Sequence, residues 1–144
     1  MTLPEYPYLS GFNGNNGICK LNDFLNKKID PGTIPQSVVR VPIYNTDALI
    51  SAITRQPVVV ALDARSAIFQ NYVSGVINSP DCFLGSISHG MLAVGYGVRN
   101  GVQYIKFKNQ YGSHWGEKGY VYIQSENSDG KCGILVASPV YPVL

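Results

Sequence analysis

Apolar residues alternate with polar ones, or form short blocks, along most of the chain after its first quarter. Four blocks rich in β-branched and aromatic residues predict strands. These strands are VVVAL (58–62), HGMLAVGYG (89–97), VQYIKFKN (102–109) and GYVYIQ (119–124). Between the second and the third lies Arg99-Asn100-Gly101, and Asn-Gly favours a hairpin turn with positive φ. The pattern predicts a helix-poor, antiparallel β unit, either a small barrel or a strongly bent sheet.

One segment, NTDALISAITRQP, follows a helical period instead. Its apolar stripe consists of Leu49, Ile50 and Ile53. Asn45 or Thr46 can cap the amino end, and Pro57 stops the helix after two to three turns. A further strand is predicted at 38–43, and a helical turn at 69–72.

The first 37 residues are dominated by turn-forming residues. EYPYLSGFNGNNGICKLND contains repeated Gly and Asn-Gly breaks, and IDPGTIP adds more breakers. We expect this segment to wrap over a neighbouring body without forming its own core. The predicted division is therefore a turn-rich segment, residues 1–37, and a β-rich lobe, residues 38–144.

Composition and charge exclude several classes of function. The chain has 144 residues, the size of one domain, and a net charge of +2 with its basic residues scattered. It therefore lacks the basic patch of a nucleic-acid-binding protein. No apolar run approaches the roughly 20 residues that span a bilayer, and the start does not resemble a signal peptide. The three cysteines form no C-x-x-C pair or zinc spacing, so we expect no metal and no cofactor.

One of the two histidines is a candidate for chemistry. His89 opens a predicted strand after the turn LGSIS, and Asn109 ends the strand VQYIKFKN. These strands are neighbours in a meander, so the Asn side chain could reach the imidazole and hold one tautomer, as in a nucleophile–base–orienter triad. A histidine at the start of a strand is more often a hydrogen-bonded structural residue. The spacing alone leaves both interpretations open.

Three longer motifs resemble the papain family of cysteine peptidases. They are SHGMLAVGYG, then NGVQYIKFKNQYGSHWGEKGYVYI, then GKCGI with a later YPV. The family pattern is [DN]-H-[AG]-x-x-x-V-G-Y-G, then Y-W-x-x-K-N-S-W-G-x-x-W-G-E-x-G-Y, then C-G-I and Y-P. The resemblance covers nearly the whole chain. It implies an α+β fold, namely the right-hand lobe of the papain fold: an antiparallel, barrel-like sheet with one or two short helices, preceded by a turn-rich wrapping segment.

The resemblance assigns roles to individual positions. His89 matches the catalytic histidine, Asn109 matches the asparagine that orients it, and Tyr111 and Trp115 match aromatic residues that cover the pair. The predicted substrate-binding positions are Ala61, Ser88, Gly90 and Ala137. Their small size implies room for a bulky apolar substrate residue, as in the cathepsin-L-like branch, although small residues in strands also serve tight packing. His114 falls in a variable part of the Gly-rich turn and is assigned no role.

The resemblance also assigns the cysteines. It implies a disulfide between Cys82 and Cys132, and hence an oxidising compartment: lysosomal, vacuolar or secreted. Cys19 matches a cysteine whose family partner lies earlier than Met1, so an unpaired thiol is expected there.

The nucleophile of the family has no counterpart in the sequence. It lies in C-G-[SA]-C-[WY], about 130 to 150 residues before the histidine, and His89 is too near the start of the chain for that spacing. The glutamine of the oxyanion hole is missing as well, and the neighbours of Cys19 do not match the motif. Tyr111 also replaces the usual Trp beside the His–Asn pair.

Two hypotheses about function follow. In the first, the chain supplies the His/Asn half of a papain-like cysteine endopeptidase, is inactive alone, and acts on polypeptides once a partner supplies the Cys lobe. In the second, it is a catalytically inactive structural or binding subunit of papain-like fold. Both predict a protein partner, because without the helical lobe the cleft face is uncovered.

Overall fold

The chain divides into two units, Met1–Gln36 with Leu144, and Ser37–Val143. The computed structural model describes residues 7, 9–18, 31–126 and 128–144. Within the first unit, a short helix α1 (Ser10–Asn13) ends where Gly14 adopts the left-handed conformation, and Pro31–Thr33 forms a 3-10 turn. The predicted boundary after residue 37 and the wrapping role of the first segment stay predictions.

The second unit is built on an open β-sheet. The described residues form seven strands: β1 (Ser37–Arg40), β2 (Val58–Leu62), β3 (Val76–Ile77), β4 (His89–Arg99), β5 (Val102–Lys108), β6 (Tyr120–Gln124) and β7 (Val140–Val143). Their order is β1-β7-β2-β4-β5-β6-β3, and every pair is antiparallel except β3 with β6. The α+β lobe with an antiparallel sheet is confirmed. The sheet does not close into a barrel, since β1 and β3 lie at opposite edges.

The four strands predicted from the hydrophobic pattern are all present as β2, β4, β5 and β6. The turn between β4 and β5 has φ values of 52° at Asn100 and 78° at Gly101, which confirms the predicted positive-φ hairpin. Strand β1 ends at Arg40, whereas the prediction ran to Ile43. Pro42 explains the earlier end, because it has no N–H to continue the ladder.

Two strands were not predicted. β3 has only two residues, too few to show a period. β7 contains Pro142, which argues against a strand in sequence analysis. The structure tolerates this proline because β2 pairs with β7 only at Val59 and Val140, so Pro142 lies beyond that contact.

The predicted helix is present as α2 (Thr46–Ile53). Asn45 is its N-cap, since its side-chain Oδ1 accepts a hydrogen bond from the Ala48 N–H at 2.9 Å. The predicted helical turn is α3 (Ala67–Gln70), which begins two residues early because Ser66 Oγ caps the Phe69 N–H. No helix in the described part of the chain is long and apolar enough to cross a membrane.

The core lies on one face of the central strands. Alternate residues of β2, β4, β5 and β6 are buried there: Val58, Val60, Leu62, Met91, Ala93, Ile105, Phe107, Val121 and Ile123. Leu49 of α2 and Phe69 of α3 are fully buried in the same cluster. This packing fixes the ends of β4 and β5, where the candidate catalytic residues lie.

Candidate active site

His89 and Asn109 lie side by side at one end of the sheet. His89 is the first residue of β4, and Asn109 directly follows β5, the antiparallel neighbour of β4. The His89 Nε2 and Asn109 Oδ1 atoms are 2.9 Å apart, a hydrogen-bond distance. Asn109 is 8% exposed, so water competes little for this bond. The contact expected from neighbouring strands is present, while the catalytic roles of the two residues stay predictions.

The hydrogen bonds of Asn109 determine the tautomer of His89. Asn109 Oδ1 also accepts the backbone N–H of Gln110 at 2.9 Å, which fixes the amide orientation, because a flipped amide would set a donor against a donor. A carbonyl oxygen can only accept, so His89 Nε2 carries the proton. In the neutral ring Nδ1 then has a free lone pair, and no described residue hydrogen-bonds to it. The ring is arranged as a base at Nδ1.

Aromatic rings cover the pair on two sides. The centroid of Tyr111 lies 5.2 Å from that of His89, and the buried Phe69 approaches the imidazole edge-on at 6.0 Å. Trp115 packs behind them, 5.4 Å from Tyr111 and 5.3 Å from Phe69. Tyr111 therefore contacts the His89 ring directly, whereas Trp115 contacts the rings of Tyr111 and Phe69, and the covering role of both residues stays a prediction. Such offset and edge arrangements suit the quadrupoles of the rings.

The Gly-rich turn that carries Tyr111 and Trp115 is fixed at two points. Trp115 Nε1 donates to the Gln70 carbonyl at 3.0 Å, which ties the turn to α3. Glu117 accepts the Gly75 N–H at 2.9 Å and pairs with Arg99. That pairing lowers the pKa of Glu117, which therefore stays ionised. The turn is held in one position relative to the imidazole.

A buried carboxylate lies beside the segment that leads into His89. Asp63 directly follows β2 and is 4% exposed. Its two oxygens accept five hydrogen bonds, from the Arg65 backbone N–H and guanidinium and from the N–H groups of Gly85 and Ser86. The hydrogen-bonded Arg65 holds the pKa of Asp63 far below its usual value, although burial opposes this shift. Asp63 thus stays ionised throughout the physiological pH range.

The predicted substrate-binding positions are partly brought together. Ala61 and Gly90 face each other across β2 and β4, and Gly90 is exposed, with nothing within 4 Å of an added Cβ. Ser88 is adjacent, but its Oγ turns back to accept the Ala64 N–H at 3.1 Å. Ala137 lies half-buried between the Lys131–Gly133 turn and β7. The space above Gly90 is open, and the substrate-binding role of these four positions stays a prediction.

The disulfide that the resemblance implied is present. Cys82 and Cys132 form a disulfide, and both are buried. Cys19 lies outside the described residues, so its predicted free thiol stays a prediction. Among the described residues no group of three or more His, Cys, Asp or Glu side chains could hold a metal ion.

Sequence reasoning missed three residues that organise the site. Phe69 gave no signal beyond an apolar position in a short helix. Asp63 has a local partner in Arg65, but the backbone N–H groups of residues 85 and 86 that it also binds lie more than twenty positions away. Glu117 binds Arg99 and the Gly75 N–H, both from distant segments. No local pattern indicates these longer-range contacts. One available signal was an ionisable residue directly after a buried strand, as Asp63 is. Another was the Glu of the quoted W-G-E-x-G-Y pattern, which falls at Glu117.

Comparisons with known proteins agree with this geometry. The sequence model of papain family cysteine proteases matches residues 1–143. Cysteine proteinase RD21A of Arabidopsis thaliana is 37% identical over 99% of this chain, which covers 29% of that protein. Cathepsin L of Sarcophaga peregrina is 36% identical over 99% of this chain, which covers 40% of that protein.

Solved structures show the same likeness. The Carica candamarcensis cysteine protease CMS1MS2, in complex with E-64, is 37% identical with a TM-score of 0.77, and the match covers 98% of this chain and 60% of that one. Bromelain from Ananas comosus, in complex with the same inhibitor, is 36% identical with a TM-score of 0.79, covering 99% and 62%. The chain therefore spans less than two thirds of the length of these relatives, and over that span it belongs to the papain family of cysteine proteases.

Proposed function

We propose that the chain supplies the His/Asn half of a papain-like cysteine endopeptidase, whose nucleophilic thiol lies in polypeptide outside these 144 residues. The observation that carries this proposal is the 2.9 Å contact between His89 Nε2 and Asn109 Oδ1, which leaves Nδ1 free as a base. The rings of Tyr111 and Phe69 keep water from the hydrogen bond on which the tautomer depends.

The proposed mechanism assigns each proton transfer to His89. Its Nδ1 accepts the thiol proton, and the resulting thiolate attacks the carbonyl carbon of the peptide bond to give a tetrahedral adduct. The imidazolium then protonates the leaving amine as the C–N bond breaks. Water hydrolyses the thioester, with His89 again as the base. Asn109 Oδ1 accepts the hydrogen bond from the Nε2–H group throughout and so keeps Nδ1 directed at the reacting atoms.

The substrate proposed is a polypeptide with a bulky apolar residue two positions before the cleaved bond. The support is the small side chain of Ala61, paired with Gly90, and the free space above Gly90. The Cys82–Cys132 disulfide supports an oxidising compartment, so a lysosomal, vacuolar or secreted location is part of the proposal.

Filling the space above Gly90 is expected to separate stability from specificity. Because an added Cβ at Gly90 meets nothing within 4 Å, Gly90→Leu should change the free energy of unfolding by less than about 1 kcal/mol. Two peptides are compared in the thiol-containing protein, one with Leu and one with Ala two positions before the cleaved bond. In the variant, cleavage of the Leu peptide should fall about tenfold or more relative to cleavage of the Ala peptide, because the added side chain occupies the pocket. Urea unfolding and paired peptide substrates measure the two effects. Equal loss for both peptides would contradict the pocket assignment.

The proposal is tested by thiol labelling with E-64. The chain, alone and in the native polypeptide or assembly that contains it, is incubated with the inhibitor and analysed by mass spectrometry. We expect one labelled cysteine outside these 144 residues, and no labelling of the isolated chain. Absence of labelling in every native form would reject the peptidase and support the second candidate, an inactive papain-like subunit. The specific observation that favours this second candidate is Tyr111, a smaller and 46% exposed ring where the family usually has Trp.

A further inference from the structure

The segment from Cys82 to Ser88, which leads into His89, is tied down along its length. At one end Cys82 is bonded to Cys132, whose carbonyl accepts the Asp63 N–H at 2.8 Å. In the middle, Asp63 Oδ2 accepts the N–H groups of Gly85 and Ser86, both at 2.8 Å. At the other end the Ser88 N–H donates to the Leu62 carbonyl at 3.0 Å. Leu62 is itself the β2 residue opposite His89.

We propose that Asp63 is a positioning residue for His89: its carboxylate, held by Arg65, fixes residues 85–88 and thereby the place at which β4 begins. This inference rests on the proposed function, since it concerns the placement of the same base. Asp63 touches no reacting atom, and it acts through the backbone that delivers the imidazole to Asn109.

The geometry favours positioning over a direct chemical role for Asp63. A general base or a metal ligand needs a free lone pair facing an open site, whereas both Asp63 oxygens are already occupied by neighbouring donors. The carboxylate is buried, and hydrogen bonds to an ionised acceptor are the stronger kind. Its depressed pKa agrees with a group that stays charged and holds its donors.

Gly85 is part of the same arrangement. A Cβ added at Gly85 would lie 2.5 Å from Arg65 Nη2 and 3.2 Å from Asp63 Oδ2. The backbone of this segment therefore lies so close to the ion pair that a Cβ fits only if the end of the Arg65 side chain moves aside. Any side chain at this position must push the guanidinium away and shift the carboxylate by a few tenths of an ångström.

The test follows the His89 Nε2 proton by NMR in the 144-residue chain. In the wild type this proton is hydrogen-bonded and covered by aromatic rings, so it should exchange with water slowly enough to give a low-field signal. We expect Asp63→Asn to abolish that signal and to speed amide exchange at Gly85 and Ser86 by about 10- to 100-fold, the factor for losing a charge-assisted hydrogen bond. Retention of the signal at wild-type intensity would overturn the proposal.

Thr46→Val is the matched control for general destabilisation. Thr46 is buried, and its Oγ1 donates to the Glu126 carbonyl at 3.0 Å, so this variant also loses a buried hydrogen bond. The His89 signal should persist in Thr46→Val. Equal loss of the signal in both variants would show that Asp63 only stabilises the fold and does not position His89. If Asp63→Asn does not fold, Gly85→Ala is used in its place, because the added Cβ displaces the Arg65–Asp63 ion pair. The same His89 signal and the same amide exchange rates are then measured. No step needs a nucleophile, so failure of E-64 labelling and failure of this inference are separate results.

Discussion

Replacing His89 with alanine is expected to slow E-64 labelling of the thiol-containing protein by at least about 10³-fold. An unassisted cysteine thiol has a pKa of about 8.5, so at pH 5.5 only about one molecule in 10³ carries the reactive thiolate. In the proposed mechanism His89 removes this limit, because its Nδ1 accepts the thiol proton and the resulting imidazolium stays beside the thiolate. The measurement is the second-order rate of E-64 labelling at pH 5.5 for both proteins.

His114→Ala is the matched control for this substitution. His114 is exposed in the Gly-rich turn, and it has no place in the hydrogen bonds around Asn109. Its labelling rate should stay within about twofold of the wild type, as for most surface substitutions. A His89→Ala protein that folds, as judged by its denaturant midpoint, and still reacts at the wild-type rate would show that another group activates the thiol.

The sequence was sufficient to predict the central part of the fold. Strands β2, β4, β5 and β6 each have a buried face whose period of two is visible in the residues, and Asn45 and Asn100 mark a helix start and a turn through local chemistry. These signals act within a few residues, so they survive without knowledge of the tertiary structure. The outer parts of the sheet are different, because β3 and β7 form strands only through pairing with their neighbours β6 and β1.

The candidate site divides in a similar way. The proximity of His89 and Asn109 was predictable because both lie at the open end of one hairpin, His89 at the start of β4 and Asn109 directly after β5, and the family motifs name both. The choice of His89 Nε2 as the protonated nitrogen was not predictable, since it depends on the Gln110 N–H that orients the Asn109 amide. The bond between Asp63 and residues 85–86 spans more than twenty positions and joins a charge to backbone groups, which leave no trace in a sequence.

Removing the disulfide is expected to lower the free energy of unfolding by about 4 kcal/mol, through Cys82→Ala with Cys132→Ala. The two cysteines are 50 residues apart, and a cross-link of that span restricts the unfolded chain by about this amount in the chain-entropy description. Domains are stable by only about 5 to 15 kcal/mol, so the variant should be marginal. The expected result in urea is a midpoint lower by about 2 M at a typical slope of about 2 kcal/mol/M.

Reductant provides the control for this prediction, because it should lower the midpoint of the wild type and leave the double variant unchanged. Both proteins carry Cys19→Ser in this experiment, which prevents thiol exchange with the disulfide. The loss of stability should extend to the candidate site, because the disulfide links Cys82 to Cys132 and the Cys132 carbonyl accepts the Asp63 N–H. Amide exchange at Gly85 and Ser86 should therefore accelerate more than exchange within β5 and β6. A midpoint shift below about 0.5 M would mean that the unfolded chain gains little freedom when the bond is removed, and that the buried contacts around Cys132 alone hold this part of the fold.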